Sequence, residues 1–186
     1  MIAAVKWTLI AGIGCILAAM IACRHQVGAS HPTDTPPPLQ TLSMQPDQVN
    51  TAEWDKAWTN LLNDAEQSFT PSLPRLFAVE VELIVGNPGE TEDDLTLTIL
   101  DAKNQEVVKV TEKVQSANSD PVMFLMPTNG VALSPGQTYR LRLTGGTTFG
   151  WKYVVGGYKS GEATFNGKPL LAQARSTFLF RTFGKD

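Results

Sequence analysis

Residues 76–86 read LFAVEVELIVG, and their alternation decides the fold class. Val79, Val81, Leu83 and Val85 alternate with Ala78, Glu80, Glu82 and Ile84. Neighbouring side chains on a strand point to opposite faces, so a period of two predicts a strand with one buried face. Asn87-Pro88-Gly89 then supplies strong turn chemistry. Glu80 and Glu82 fall together on the wet face of that strand, where solvated charge is expected rather than an acid–base pair.

The same pattern recurs toward the C-terminus. Leu95-Thr96-Leu97-Thr98-Ile99 alternates, residues 101–105 turn, and Val107, Val108 and Val110 form the next strand. Residues 122–126 are a short apolar strand before Pro127-Thr128-Asn129-Gly130. Leu133-Ser134-Pro135-Gly136 turns into residues 138–143, with Tyr139, Leu141 and Leu143 facing in and Arg140 and Arg142 facing out. Gly145-Gly146 and Gly156-Gly157 bracket a strand at 151–155, and short strands at 163–165 and 177–183 follow. Asn166-Gly167 is a tight turn. About eight or nine short strands at regular spacing, with Gly/Pro turns between them, predict an all-β sandwich or barrel, best fitted as a two-sheet jelly-roll β-sandwich.

Upstream the pattern changes. In residues 51–66, Trp54, Trp58, Leu61 and Leu62 fall at i, i+4, i+7 and i+8, and Glu53 and Asp55 sit near the start. That spacing predicts a short N-terminal helix, with a strand as the alternative. Residues 24–50 are polar and proline-rich around Pro36-Pro37-Pro38, which predicts a disordered, polyproline-like linker. As a coil it would reach on the order of 30 Å. Both histidines, His25 and His31, fall in it, so no histidine-based active site is expected in the domain, read as residues 51–186.

Residues 1–23 place Lys6 ahead of an apolar run from Trp7 to Ala22, the layout of a secretory signal. Sixteen residues is short against the roughly 20 of a spanning helix. The run ends Met20-Ile21-Ala22-Cys23, which resembles a bacterial lipobox with Met20 where Leu is usual. Lipidation of Cys23 is expected, with an uncleaved anchor as the alternative. Either way the domain would be exported and membrane-tethered in the cell envelope, on the extracytoplasmic side.

Fifteen basic and 18 acidic side chains give a formal charge of -3, with no reason to expect nucleic acid as a partner. The charge is uneven, with 6 basic and 16 acidic residues over 24–120 against 8 and 2 over 121–186. Solvated strand faces explain this, and a basic patch for an anionic polymer or lipid head group is the alternative. No nucleophile elbow, Walker loop, zincin helix or Cys-x-x-Cys pair is present, so catalysis is not expected. Glu90, Glu92, Asp93 and Asp94 crowd the stretch after Gly89, where oxygen ligands could hold Ca²⁺; a mobile acidic loop is the plainer reading.

Over roughly residues 67–184 the chain resembles bacterial extracellular jelly-roll modules of the galactose-binding-like and carbohydrate-binding kind. The residues that carry the resemblance begin with Gln67-Ser68-Phe69-Thr70-Pro71 and Leu133-Ser134-Pro135-Gly136-Gln137-Thr138-Tyr139. Further on they are Gly157-Tyr158 leading to Gly161-Glu162-Ala163, Asn166-Gly167-Lys168-Pro169-Leu170, and Phe178 through Phe183. The resemblance implies a jelly roll, frequent sugar binding and often a bound calcium ion.

Sugar recognition needs an aromatic plane and planar polar groups. Trp151 and Tyr153 share one strand face, while Tyr158, Asn166 and Arg175 lie in loops that could converge on it. The competing reading puts Trp151 in the core. Two functions are expected from these residues: a non-catalytic, surface-tethered module for a glycan or cell-wall polymer, or a structural lipoprotein that docks another envelope protein.

Overall fold

The computed structural model describes residues 44–61, 64–118, 120–171 and 174–186. The signal-like segment with Cys23, and the linker as far as residue 43, lie outside the described residues. Among those described, no helix is long and apolar enough to cross a membrane.

The described residues are all-β, in several antiparallel sheets consistent with a β-sandwich. One sheet runs in the order β1 (Gln45–Asn50), β15 (Phe180–Lys185), β4 (Arg75–Val81) and β8 (Val122–Leu125), with β9 (Val131–Ala132) also on β4. A second runs β13 (Lys168–Pro169), β12 (Ala163–Phe165), β3 (Ala65–Phe69), β10 (Tyr139–Thr144), β6 (Glu92–Leu100) and β7 (Glu106–Gln115). The third centres on β11 (Phe149–Val155), with β2 (Ala57–Asn60) on one edge and β5 (Leu83–Val85) and β14 (Ser176–Phe178) on the other.

The alternation in LFAVEVELIVG acts as expected. Val79, Val81 and Leu83 enter one core with Phe124 and Phe180 from the first sheet and Leu97, Ile99 and Leu141 from the second. Burying such side chains stabilises the fold by about 1.5–3 kcal/mol each, which is what holds the sheets face to face. Glu80 is not simply solvated. It is buried against Arg181, at 2.5 Å, on the outer face of the first sheet.

Three strands meet where the first and third sheets join. The Glu82 N–H donates to the Leu179 carbonyl at 3.3 Å, the Leu179 N–H to that of Lys152 at 3.0 Å, and the Lys152 N–H to that of Glu82 at 3.1 Å. This closed ring lets the antiparallel pair of β4 and β15 splay, so that β5 and β14 continue end to end along β11. No backbone donor in the ring goes unpaired, as burial requires.

Two sequence expectations are corrected. The helix over 51–66 does not form: β2 lies within the span, β3 begins at its end, and Lys56 has a left-handed φ of 67° just before β2. β2 gains a ladder with β11, from Ala57 against Tyr153 to Asn60 against Gly150, and tertiary pairing outweighs the apolar stripe. The domain also begins earlier than residue 51. Gln45–Asn50 is an edge strand on β15, and buried Asn50 donates to the Phe178 carbonyl at 2.5 Å and to Thr177 Oγ1 at 3.1 Å.

Candidate functional site

Trp151 is the first residue to place, and it corrects the expected binding platform. It is fully buried, stacked on Phe178 with centroids 4.2 Å apart, and its indole N–H donates to the Leu179 carbonyl at 2.9 Å. Tyr153 does share its face, but that face is the core one, where the Tyr153 ring meets Phe178 edge-on at 6.2 Å. Tyr158 is buried as well, edge-on to Phe180, with its hydroxyl 2.6 Å from Gln48 Oε1. Burial pushes its phenol above the ordinary tyrosine range.

Asn166 sits exposed in the turn between β12 and β13, at φ 52°, and Arg175 anchors its guanidinium on the Gly161 carbonyl. The five residues therefore do not gather at one place.

The acidic residues also disperse, because much of the expected loop is the start of β6 and period two divides them. Glu92 and Asp94 both pair with Lys113. Asp93 instead accepts the Gly146 N–H at 2.6 Å. Glu90 accepts the hydroxyls of Thr147 and Thr148, which hold its carboxyl below the ordinary range. Among the described residues no three carboxylate, histidine or cysteine side chains are grouped to hold a metal ion.

The outward-facing arginines are spoken for in a similar way. Arg140 and Arg142 flank Glu66, which is buried between them.

The alternation that sends Trp151 inward sends Gly150 and Lys152 outward, and an aromatic surface lies there. Trp58 pairs with Lys152 across the strands and is 40% exposed. Its six-membered ring lies on two glycines: a Cβ on Gly150 would overlap Cε3, and one on Gly86 would come within 3.1 Å of Cζ3 and Cη2. The ring thus lies against the backbone of these two glycines, and the residue stays partly exposed to solvent.

Polar groups border this plane. The Lys152 ammonium pairs with Asp120 and sits 4.8 Å from the ring centre of Trp54, a cation–π contact. Trp54 is half-buried and donates its indole N–H to the Ala57 carbonyl at 2.7 Å. Glu82 follows Lys152 in the strand junction. Burial first, then the charge of Asp120, raises its carboxyl above the ordinary range, against the opposing pull of Lys152 and Arg181. A perturbed carboxyl beside an exposed aromatic plane has the composition of a recognition surface.

Sequence reasoning misses Trp58 and Trp54 because their four-residue spacing fits a helix face as well as it fits a strand contact. The signal that could have found Trp58 is a glycine, Gly150, immediately before the buried Trp151. No family model matches the chain, and no curated protein matches it.

Proposed function

We propose that this chain is a non-catalytic, surface-tethered binding module for a glycan or cell-wall polymer, with Trp58 as its contact plane. The observation that carries this reading is the partly exposed indole of Trp58 seated against Gly150 and Gly86. An aromatic ring held in this way can take the apolar face of a sugar ring. The carboxylates of Asp120 and Glu82 and the ammonium of Lys152 lie on the same side to meet hydroxyls. Residues 1–23, ending at Cys23, support export and tethering through a lipid or an uncleaved anchor.

The jelly-roll reading has support of its own in the strand pairs. Numbering β1, β3, β4, β6, β7, β8, β10 and β15 as eight successive strands, the pairs are first with eighth, second with seventh, third with sixth and fourth with fifth. An antiparallel ribbon of eight strands rolled into two sheets pairs in this way. The galactose-binding-like resemblance is consistent with that order.

The test is retention of the full chain, in detergent micelles, on a panel of bacterial and plant polysaccharides, beside the Trp58→Ala variant. Retention that disappears in a variant melting at the parent temperature supports the reading. Equal retention of the two, or no retention on any polysaccharide, removes it.

A second reading, docking of another envelope protein, is favoured by the outer face of the first sheet. Val49, Met123 and Leu125 are exposed there around the Glu80–Arg181 pair and form an apolar patch. Crosslinking from position 125 in the native envelope would capture such a partner.

A further inference from the structure

The sequence contains two Asn-Gly pairs, Asn129-Gly130 and Asn166-Gly167. In such a pair the asparagine amide is open to attack by its own main chain, because glycine puts no side chain in the way of the following nitrogen. Both asparagines are exposed, so access to water does not tell them apart. What differs is the nitrogen that must attack.

At Asn129 that nitrogen is held. The Gly130 N–H donates to the Pro127 carbonyl at 2.7 Å, and the Asn129 carbonyl accepts Arg75 Nη1 at 2.8 Å. Gly130 is also packed: a Cβ there would lie 2.9 Å from the Leu76 carbonyl oxygen and 3.0 Å from the Phe77 ring. The peptide cannot swing toward the Asn129 side chain unless this turn opens.

At Asn166 the nitrogen is free. Asn166 and Gly167 are the two central residues of the hairpin between β12 and β13, with left-handed φ of 52° and 70°. The ladder belongs to the flanking pair, Phe165 and Lys168, and among the described residues neither the Gly167 N–H nor the Asn166 carboxamide has a hydrogen-bond partner. A Cβ on Gly167 would meet nothing within 4 Å. β13 itself is two residues at the edge of the second sheet, and one of them, Pro169, has no N–H to give. A hairpin with so few ladder bonds opens at little cost.

We propose that Asn166 is a site of spontaneous deamidation and isomerisation, and that its turn protects Asn129. The Gly167 nitrogen gives up its proton and attacks Asn166 Cγ. A C–N bond forms there, the carboxamide C–N bond breaks, and its nitrogen leaves as ammonia. The cyclic imide then takes up one water. Opening at Cγ leaves isoaspartate or aspartate according to which C–N bond the water cleaves: the bond to Cγ gives aspartate, the bond to the main-chain carbonyl carbon gives isoaspartate. Either product adds one negative charge to the hairpin. Isoaspartate also lengthens the main chain within a two-residue turn, so Phe165 and Lys168 lose their register and β13 its hold on β12.

The experiment is incubation of the full chain in detergent micelles at mildly alkaline pH, with and without guanidinium chloride. Proteolytic peptides are then read by mass and by enzymatic methylation of isoaspartate. In the folded protein Asn166 should convert on the order of tenfold faster than Asn129, or more, since only Asn129 must wait for local opening. In denaturant the two rates should converge. Asn166→Gln, whose longer side chain would have to close a larger ring, should abolish the signal at that position and leave Asn129 as it was. Equal conversion of the two in the folded protein, or no conversion of Asn166 there, would overturn the proposal. So would a gap between the rates that persists in denaturant, because the sequence and not the fold would then set it.

Discussion

Trp58 rests on Gly150, and the contact is so close that the position admits no side chain. The pairing of Trp58 with Lys152 and of Asn60 with Gly150 sets neighbouring places on one face of the sheet, so the indole crosses from its own strand onto the next. Gly150→Ala would lift the ring or shift β2, at a cost of about 1–3 kcal/mol by overpacking. Urea unfolding of the variant should show the lower midpoint, and polysaccharide retention should fall with it. Unchanged stability would mean that the ring is not seated there.

Trp151 should behave in the opposite way to Trp58. Truncation to alanine empties a fully buried site and removes the donor to the Leu179 carbonyl in the strand junction. A loss of about 3–5 kcal/mol is expected. Trp58→Ala should cost far less, since its ring is partly in water. Comparing the urea midpoints of the two variants separates a core tryptophan from a contact tryptophan.

The start of the domain is tested by truncation. A chain beginning at residue 51 lacks β1, and with it both hydrogen bonds of Asn50 and the Gln48 acceptor of Tyr158. It should melt well below a chain beginning at residue 44, which keeps the strand. Identical melting temperatures would return β1 to the linker.

Glu82 predicts a pH dependence with a definite sign. Its carboxyl is raised in the fold, by burial and by Asp120 foremost, so the folded state prefers the protonated form. Its contribution is fully present below the ordinary carboxylate range and is lost as pH rises through the raised value. Glu82→Gln should therefore be more stable than the parent at pH 7 and no more stable at acid pH. Chemical denaturation at the two pH values checks this, and a variant that loses stability at pH 7 would contradict the sign.

Glu66 holds Arg140 and Arg142 together on the outer face of the second sheet. Glu66→Ala would leave two guanidinium groups without their shared carboxylate. The loss should be about 1–3 kcal/mol, less than for a wholly buried pair because both arginines are about one-third exposed to water. The accompanying gain of positive potential should strengthen adsorption to anionic vesicles.

Much of the fold was legible locally. The alternation in residues 76–86, 95–99 and 138–143, and the turn residues between such runs, are properties of short stretches, and they lead to an all-β chain without reference to partners. The span 51–66 was not legible in that way. Its apolar spacing satisfies a helix when read alone, and only the ladder with β11 makes residues 57–60 a strand. The acidic stretch at 90–94 misled for a related reason: closeness in sequence is not closeness in space once period two sends alternate carboxylates to opposite faces.

The site lay still further from what the sequence could specify. Alternation placed Trp151 and Tyr153 on one face and Lys152 on the other, and that relation held. Which face met the core was not a local property. It followed from the third sheet packing Trp151 on Phe178, and from glycines at 86 and 150, far apart in the chain, being brought under one indole. The sequence by itself determined strands, turns and the pairing of side chains to faces, because these depend on neighbours a few residues away. Only the tertiary structure decided which face is buried and which tryptophan meets solvent, because those depend on contacts between residues tens of positions apart.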